Sequence, residues 1–132
     1  MEHVLRPQAG KTLEQSYKGI AFTNDQGNTE CVEFIKQTLN APPTSAWREG
    51  RGIKLGVVVP PGTAIATFVA GKYPQSGNTG KHAAIYLGQN AIGIQVLDQW
   101  RKQGSVQPRT IKWKPTSPGL SNDGSAFSVI EW

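Results

Sequence analysis

The sequence has 132 residues, a formal charge of +5, and 37% hydrophobic residues. This length and composition predict one folded catalytic or binding domain over residues 1–132 and argue against a disordered chain. No run of about 18 apolar residues is present, so we expect no membrane span, and without the apolar core of a signal peptide we expect synthesis in the cytoplasm.

The first predicted element is a helix over residues 30–39. Residues 1–19 are polar and rich in turn formers, and a polar turn leads into the helix. Either Asn28 or Thr29 is predicted to cap it, because a short side-chain oxygen can accept from the free N–H groups of the first turn. The apolar residues that share one helical face are Val32, Ile35 and Leu39.

Strand-like segments separated by turn formers follow the helix. The predicted segments are 56–59, 63–70, 82–87, 94–98, 109–113 and 126–132. Segments 73–80 and 115–125 are predicted to be loops from their Gly, Pro, Ser and Asn content. The expected fold is α+β, with the helix packed on an antiparallel sheet of about five strands.

Cys31 is the candidate nucleophile because it stands at the start of the predicted helix. The thiolate is the reactive form of cysteine, and the positive end of a helix lowers the pKa of a thiol. The N–H group of Cys31 would also be free to donate to an oxyanion. Glu30 and Glu33 are nearby anions that we expect to raise this pKa. The alternative is that Cys31 is a small buried hydrophobic residue.

His82 is the candidate base, and the hairpin of segments 82–87 and 94–98 supplies it with a partner. If the pairing is regular about Asn90, Ala84 lies opposite Val96 and His82 lies opposite Asp98. Opposed residues point to the same face of a sheet, so Asp98 would orient the imidazole through one ring nitrogen. The alternatives are a structural histidine and an ion pair at the end of a strand.

Other chemistries fit the sequence less well. One Cys and two His supply too few ligands for a zinc site, so we expect no metal, and no phosphate-binding motif suggests a cofactor. The basic residues are scattered, so nucleic-acid binding is not expected. Trp100 and Trp113 are expected to pack in the core or on the sheet, and the alternative is that they line a groove. The alternative to a cysteine hydrolase is a protein without catalytic activity, a module that binds cell wall or a protein partner.

Five pieces of the sequence, in order, carry a family resemblance. They are Cys31, 47–50 (WREG), 61–68 (PGTAIATF), 80–87 (GKHAAIYL) and 94–100 (IQVLDQW). This order resembles the CHAP and NlpC families of papain-like cysteine amidohydrolases, and it covers roughly half of the chain. The resemblance implies a papain-like fold and a cysteine peptidase in which Cys31, His82 and Asp98 are catalytic.

One departure from the CHAP pattern concerns the oxyanion donor. Glu30 stands where CHAP proteins usually carry glutamine just before the nucleophile. The side chain that would donate a hydrogen bond to the oxyanion is therefore unassigned, and the candidates are Gln26 and Tyr17.

The sequence more narrowly resembles the small amidase effectors delivered by type VI secretion. That resemblance implies an antibacterial toxin that cleaves peptide bonds in peptidoglycan, the bacterial cell-wall polymer. It implies secretion into the periplasm of a target bacterium, contact with a secretion-machine component, and a cognate immunity protein. Loops 40–56, 71–80 and 114–125 are expected to set the specificity for one bond.

Overall fold

The structure is a computed structural model that describes residues 1–77 and 80–132. Two α-helices, α1 (Leu13–Tyr17) and α2 (Cys31–Leu39), come first in the described chain. The strands are β1 (Arg48–Gly52), β2 (Ala64–Thr67), β3 (Ala83–Gln89), β4 (Gly93–Asp98), β5 (Gln107–Lys112) and β6 (Phe127–Glu131). Short 3-10 turns lie at Thr44–Ala46, Leu120–Asn122 and Gly124–Ala126. The predicted loop at 73–80 includes residues 78 and 79, which lie outside the described residues.

The strands form one sheet in the order β1-β6-β2-β3-β4-β5, and every neighbouring pair is antiparallel. Alternate residues of β3 pack on opposite faces, as the two-residue period of a strand requires. Ala83 and Ile85 join the apolar cluster that contains Phe34 of α2, whereas Ala84 and Tyr86 join the cluster on the other face. The predicted packing of an early helix on an antiparallel sheet is confirmed, with six strands instead of about five.

The predicted strand at 56–59 is wrong because its peptide groups bond to a side chain instead of to a neighbouring strand. The Gln89 side chain accepts from the Gly56 N–H group at 2.7 Å and donates to the Val57 carbonyl at 2.9 Å. Gly56 has a φ of +88°, which ends any extended run. Three consecutive valines therefore follow a turn, and Val58 is exposed to solvent.

The cap prediction for α2 is also wrong. Glu30 occupies the N-cap position, and its side chain makes no capping hydrogen bond. The Thr29 hydroxyl donates instead to the carbonyl of Trp100 at 3.1 Å. Asn28 lies two residues before the N-cap, and its backbone N–H group donates to the Asn24 side chain at 3.0 Å. The helix start is therefore fixed by tertiary contacts, which a local cap pattern cannot reveal.

Glycine is required at two of the motif positions because other parts of the chain pass close by. A Cβ atom at Gly62, where φ is +98°, would lie 2.2 Å from the carbonyl oxygen of Leu5. A Cβ atom at Gly50 would lie 2.9 Å from the carbonyl oxygen of Val129 on β6. Both motifs therefore bring chain segments together at the sheet.

None of the helices in the described ranges is long and apolar enough to cross a bilayer.

Candidate active site

Cys31 is the first residue of α2 and is half-buried. Glu30 has an extended backbone (φ −64°, ψ 143°), so the helix begins abruptly and its first N–H groups have no intrahelical partner. The buried amide of Gln99 donates to the carbonyls of Glu30 at 2.8 Å and Phe22 at 2.7 Å. These bonds tie the start of the helix to the end of β4.

His82 directly precedes β3, and its backbone is clamped to Thr67 of β2. The Thr67 N–H group donates to the His82 carbonyl, and the His82 N–H group donates to the Thr67 hydroxyl, both at 3.0 Å. The ring is almost fully buried, and its Nε2 lies 2.7 Å from Oδ2 of Asp98. This bond occupies Nε2, so Nδ1 is the ring nitrogen left for the Cys31 sulfur.

The predicted hairpin is confirmed, but its predicted register is wrong by two residues. Val96 pairs with Tyr86 instead of Ala84, and a bulge lies between Tyr86 and Gly88. On the His82 side of the bulge, the shift of two residues keeps the side chains on their predicted face, because strands alternate with a period of two, whereas beyond the bulge the shift is three residues. His82 and Asp98 therefore still meet, as diagonal neighbours within reach of a long side chain instead of directly opposed residues.

Cys31 and His82 shift each other's pKa in the directions that favour an ion pair. Burial raises the pKa of the Cys31 thiol, but the hydrogen bond and positive charge of His82 outweigh it, so this pKa lies below its ordinary value. Burial lowers the pKa of His82, but its bonds to Asp98 and Cys31 raise it to about 9. The site therefore favours a thiolate beside an imidazolium at neutral pH.

The two carboxylates near Cys31 do not produce the predicted rise in its pKa. Glu30 is paired with Arg101, and Glu33 is paired with Lys36 at 3.3 Å. A cation beside each carboxylate offsets its effect on the thiol, so the interaction with His82 decides the direction of the shift.

Tyr73 is a second polar side chain in contact with the sulfur of Cys31. Its hydroxyl lies 3.7 Å from Sγ of Cys31. The ring packs edge-on against Trp47, with centroids 5.2 Å apart, and against Phe68 at 6.5 Å. Burial first, and then the charge of the Cys31 thiolate, hold the pKa of Tyr73 above its ordinary value. The phenol therefore stays protonated and can donate a hydrogen bond.

Asp98 is fully buried at the end of β4 and also binds a cation. Its Oδ2 accepts from Nε2 of His82 and from Nε of Arg109 on β5, both at 2.7 Å. The Arg109 guanidinium also lies 4.9 Å from the centroid of the Trp100 ring. Oδ1 of Asp98 is buried with no hydrogen-bond partner among residues 1–77 and 80–132.

Two adjoining clefts surround these groups. The main cleft has a volume of about 490 Å³ and is lined by Glu30, Cys31, Val32, Thr44, Tyr73, Pro74, Gln75, Lys81, His82, Trp100, Arg101 and Lys102. The side cleft has a volume of about 370 Å³ and is lined by Lys81, His82, Trp100, Arg109, Ser121 and Asn122. Each loop named in the specificity prediction contributes to one of the clefts.

The structure brings the three predicted site residues, Cys31, His82 and Asp98, together around the main cleft. It does not bring the two candidate oxyanion donors there. Gln26 is exposed, and the Tyr17 hydroxyl bonds to the carbonyl of Arg6 at 2.9 Å.

Sequence reasoning missed three further residues at the site, which are Tyr73, Gln99 and Arg109. Trp100 is 36% exposed and lines both clefts, so the expectation that it packs in the core is wrong and the alternative, that it lines a groove, is correct. Gln99 and Trp100 directly follow Asp98, so their place next to a predicted site residue was the available signal. Within the described part of the chain, no three His, Cys, Asp or Glu side chains come together as metal ligands would.

Comparison with known proteins points to a single family. The family model described as domesticated amidase effector 2 matches residues 6–130. The type VI secretion amidase effector 2 protein of Salmonella typhi is 34% identical over 127 residues, covering 86% of this chain and 94% of that protein. The domesticated amidase effector 2 of Ixodes scapularis is 35% identical over 106 residues, covering 77% and 70%.

A solved structure shows the same architecture. The type 6 secretion amidase effector 2 has a TM-score of 0.76 and 31% identity to this chain, and the match covers 92% of each protein. The predicted α+β, papain-like fold is thereby confirmed. The predicted resemblance to type VI secretion amidase effectors is confirmed by the sequence matches.

Proposed function

Since the chain belongs to the domesticated amidase effector 2 family, we propose that it is a cysteine amidase that hydrolyses peptide bonds in bacterial peptidoglycan. The observation that carries the proposal is the bond of 2.7 Å between Nε2 of His82 and the buried Asp98, in a cleft shared with Cys31. This arrangement supplies a nucleophile, a base and an orienting group, the three parts of a cysteine hydrolase site.

The first half of the reaction forms a thioester. The Cys31 thiolate attacks the carbonyl carbon of the scissile amide, and the negative charge moves to the carbonyl oxygen. The tetrahedral intermediate then collapses, the C–N bond breaks, and His82 gives its Nδ1 proton to the leaving amine. Asp98 stabilises the imidazolium before this transfer and keeps the ring in its orientation.

Two groups support the proposed oxyanion stabilisation. The N–H group of Cys31 is at the helix start, where it has no intrahelical partner. The Tyr73 hydroxyl is 3.7 Å from the sulfur, so it can donate to an oxygen formed next to that atom. We assign Tyr73 the role that glutamine fills in CHAP proteins, because Glu30 is an acceptor and is held by Arg101.

The second half of the reaction restores the enzyme. Water takes the place of the amine, and the now neutral His82 removes a proton from it. The resulting hydroxide attacks the thioester carbon, the C–S bond breaks, and the acid product leaves. The Cys31 thiolate and the His82 imidazolium are regenerated, so the cycle is balanced.

We also propose that the protein acts in the periplasm of a target bacterium after delivery by a secretion machine, and that an immunity protein blocks the main cleft. The name of the Salmonella typhi relative supports the delivery route. Export of the chain to the periplasm of a Gram-negative host should cause lysis, whereas retention in the cytoplasm should not. Lysis by cytoplasmic protein would contradict this site of action, and failure of a co-expressed candidate immunity protein to prevent lysis would reject that partner.

The direct test is digestion of purified Gram-negative sacculi with the wild type and Cys31→Ala, read by mass spectrometry of the released muropeptides. We expect stem-peptide fragments from the wild type and a loss of at least about 10⁴-fold in the variant. The masses will also identify the bond that is cut. If neither folded protein releases fragments under reducing conditions, the amidase proposal fails and a binding module becomes the better reading.

A further inference from the structure

The side cleft is basic and adjoins the catalytic groups. It shares Lys81, His82 and Trp100 with the main cleft but does not include Cys31. Its other walls are Arg109 from β5 and the polar turn at Leu120–Asn122. No carboxylate lines it among the described residues, because Asp98 is fully buried beneath His82 and Arg109. At neutral pH the cleft therefore presents three cations, Lys81, Arg109 and the His82 imidazolium, together with polar groups to whatever enters it.

Arg109 is held in a position to bind a ligand. Its Nε donates to Asp98 at 2.7 Å, and its guanidinium lies 4.9 Å from the centroid of the Trp100 ring. These two contacts fix the plane of the guanidinium and leave both Nη groups without a partner within the described ranges. An arginine fixed in this way is suited to paired hydrogen bonds with a planar anion such as a carboxylate.

The reaction determines which half of the substrate lies next to the side cleft. The acyl half becomes bonded to Cys31, so it must stay in the main cleft. The leaving amine must approach Nδ1 of His82 to collect its proton. His82 lines both clefts, and the side cleft extends away from Cys31. The leaving-group half can therefore extend from His82 toward the side cleft, whose wall shared with the main cleft is Lys81, His82 and Trp100.

We propose that the side cleft is a leaving-group subsite that binds a free carboxylate on the amino acid whose amine is released. This inference rests on the proposed amidase function and deepens it by naming the chemistry of one substrate half. Arg109 supplies the planar pair of donors, Lys81 supplies a second charge at the rim, and Ser121 and Asn122 supply neutral polar contacts. A third cleft of about 180 Å³ shares Arg109 and Asn122 and extends the polar surface beyond this subsite.

The test uses two peptides built around the bond that the sacculus digestion identifies. They are identical except that the leaving amino acid carries a free carboxylate in one and a carboxamide in the other. We expect the wild type to favour the carboxylate by about tenfold in kcat/KM, mostly through KM, because ion pairs at partly exposed sites supply modest binding energy.

Two variants place the preference in the side cleft. Lys81→Gln should reduce it to about threefold, and Ser121→Asp should abolish it by adding an anion beside Arg109. The matched controls are Lys18→Gln and Ser45→Asp, which make the same changes of charge at exposed residues that line none of the three clefts. Both controls should retain the wild-type preference.

The outcomes separate the inference from the function on which it rests. Equal cleavage of the two peptides by the wild type would overturn the carboxylate subsite and leave the amidase intact. A preference that survives both Lys81→Gln and Ser121→Asp would also overturn it, because the carboxylate would then bind elsewhere. The proposed function fails at an earlier step, if the sacculus digestion releases no fragments, and this inference would then fail with it.

Discussion

The two walls of the main cleft hold their polar groups in different ways. On the sheet wall, His82 and Asp98 lie on the paired strands β3 and β4 or directly next to them, and both are almost fully buried. On the loop wall, Tyr73 belongs to the irregular connection between β2 and β3 and is held mainly by packing against Trp47 and Phe68.

This difference separates two ways of supporting catalysis. The sheet wall supplies charge, since Asp98 sustains the imidazolium of His82 in a buried site where electrostatic interactions are strong. The loop wall supplies one neutral donor whose position depends on aromatic packing. Substitutions on the sheet wall should therefore change the pH dependence of the reaction, whereas those on the loop wall should change the rate at every pH.

The largest expected effect comes from Asp98→Asn on the sheet wall. Asparagine keeps the shape but removes the charge that stabilises the imidazolium, so kcat/KM should fall by about 10²- to 10⁴-fold. The alkaline limb should also move to lower pH. In the wild type, burial lowers the pKa of His82, but Asp98 and Cys31 raise it to about 9, and activity should fall above that pH. Initial rates from pH 5 to 10 measure both effects, and an unchanged alkaline limb would contradict the role of Asp98.

A smaller effect is expected from Tyr73→Phe on the loop wall. Phenylalanine keeps the ring that packs on Trp47 and removes only the donor, so kcat should fall by about 10²-fold or less. The acid limb should move slightly to higher pH, because the Tyr73 hydrogen bond lowers the pKa of Cys31, though less than His82 does. The matched control is Tyr17→Phe, because the Tyr17 hydroxyl bonds to the carbonyl of Arg6, away from the cleft. Equal activity of the two variants would remove Tyr73 from the oxyanion site.

The smallest effect on rate is expected from Gln99→Met. This substitution removes the hydrogen bonds that tie the start of α2 to the end of β4. The Glu30 and Phe22 carbonyls would lose their buried donor, so unfolding should become easier by about 1–3 kcal/mol. Activity should fall only several-fold, since no group that contacts substrate is removed. Urea unfolding and kcat measure the two effects, with the exposed Gln37→Met as control. A larger loss of activity with unchanged stability would mean that Gln99 contacts the substrate.

The site residues whose positions follow from the repeat of a helix or a strand could be predicted from the sequence. Helical spacing placed Cys31 at the start of α2, and strand alternation put His82 and Asp98 on one face. The prediction that His82 and Asp98 share a face of the sheet was correct although the predicted register was not, because a shift of two residues leaves a side chain on the same face. The bulge between Tyr86 and Gly88 was missed because Gly88 was interpreted as a turn residue, although a glycine inside a strand often marks a bulge.

Parts set by tertiary contact could not be read from the sequence. Tyr73 contacts the sulfur across 42 positions of the chain, and Arg109 contacts Asp98 from a separate strand that was predicted without any role at the site. The valines at 57–59 suggested a strand because nothing local shows that Gln89 takes up the neighbouring peptide groups. Short polar elements such as β1 were missed because packing, rather than propensity, decides their conformation.

The rate of alkylation of Cys31 by iodoacetamide as a function of pH tests the central claim most directly. Cys31 is the single cysteine, so the reaction reports one thiol. Because His82 lowers the pKa of this thiol, the wild type should react at a rate that levels off well below the ordinary cysteine pKa of about 8.5. In His82→Ala the increase of the alkylation rate with pH should occur at higher pH than in the wild type. A wild-type rate that rises only near the ordinary pKa, and does so identically in His82→Ala, would contradict the thiolate–imidazolium pair.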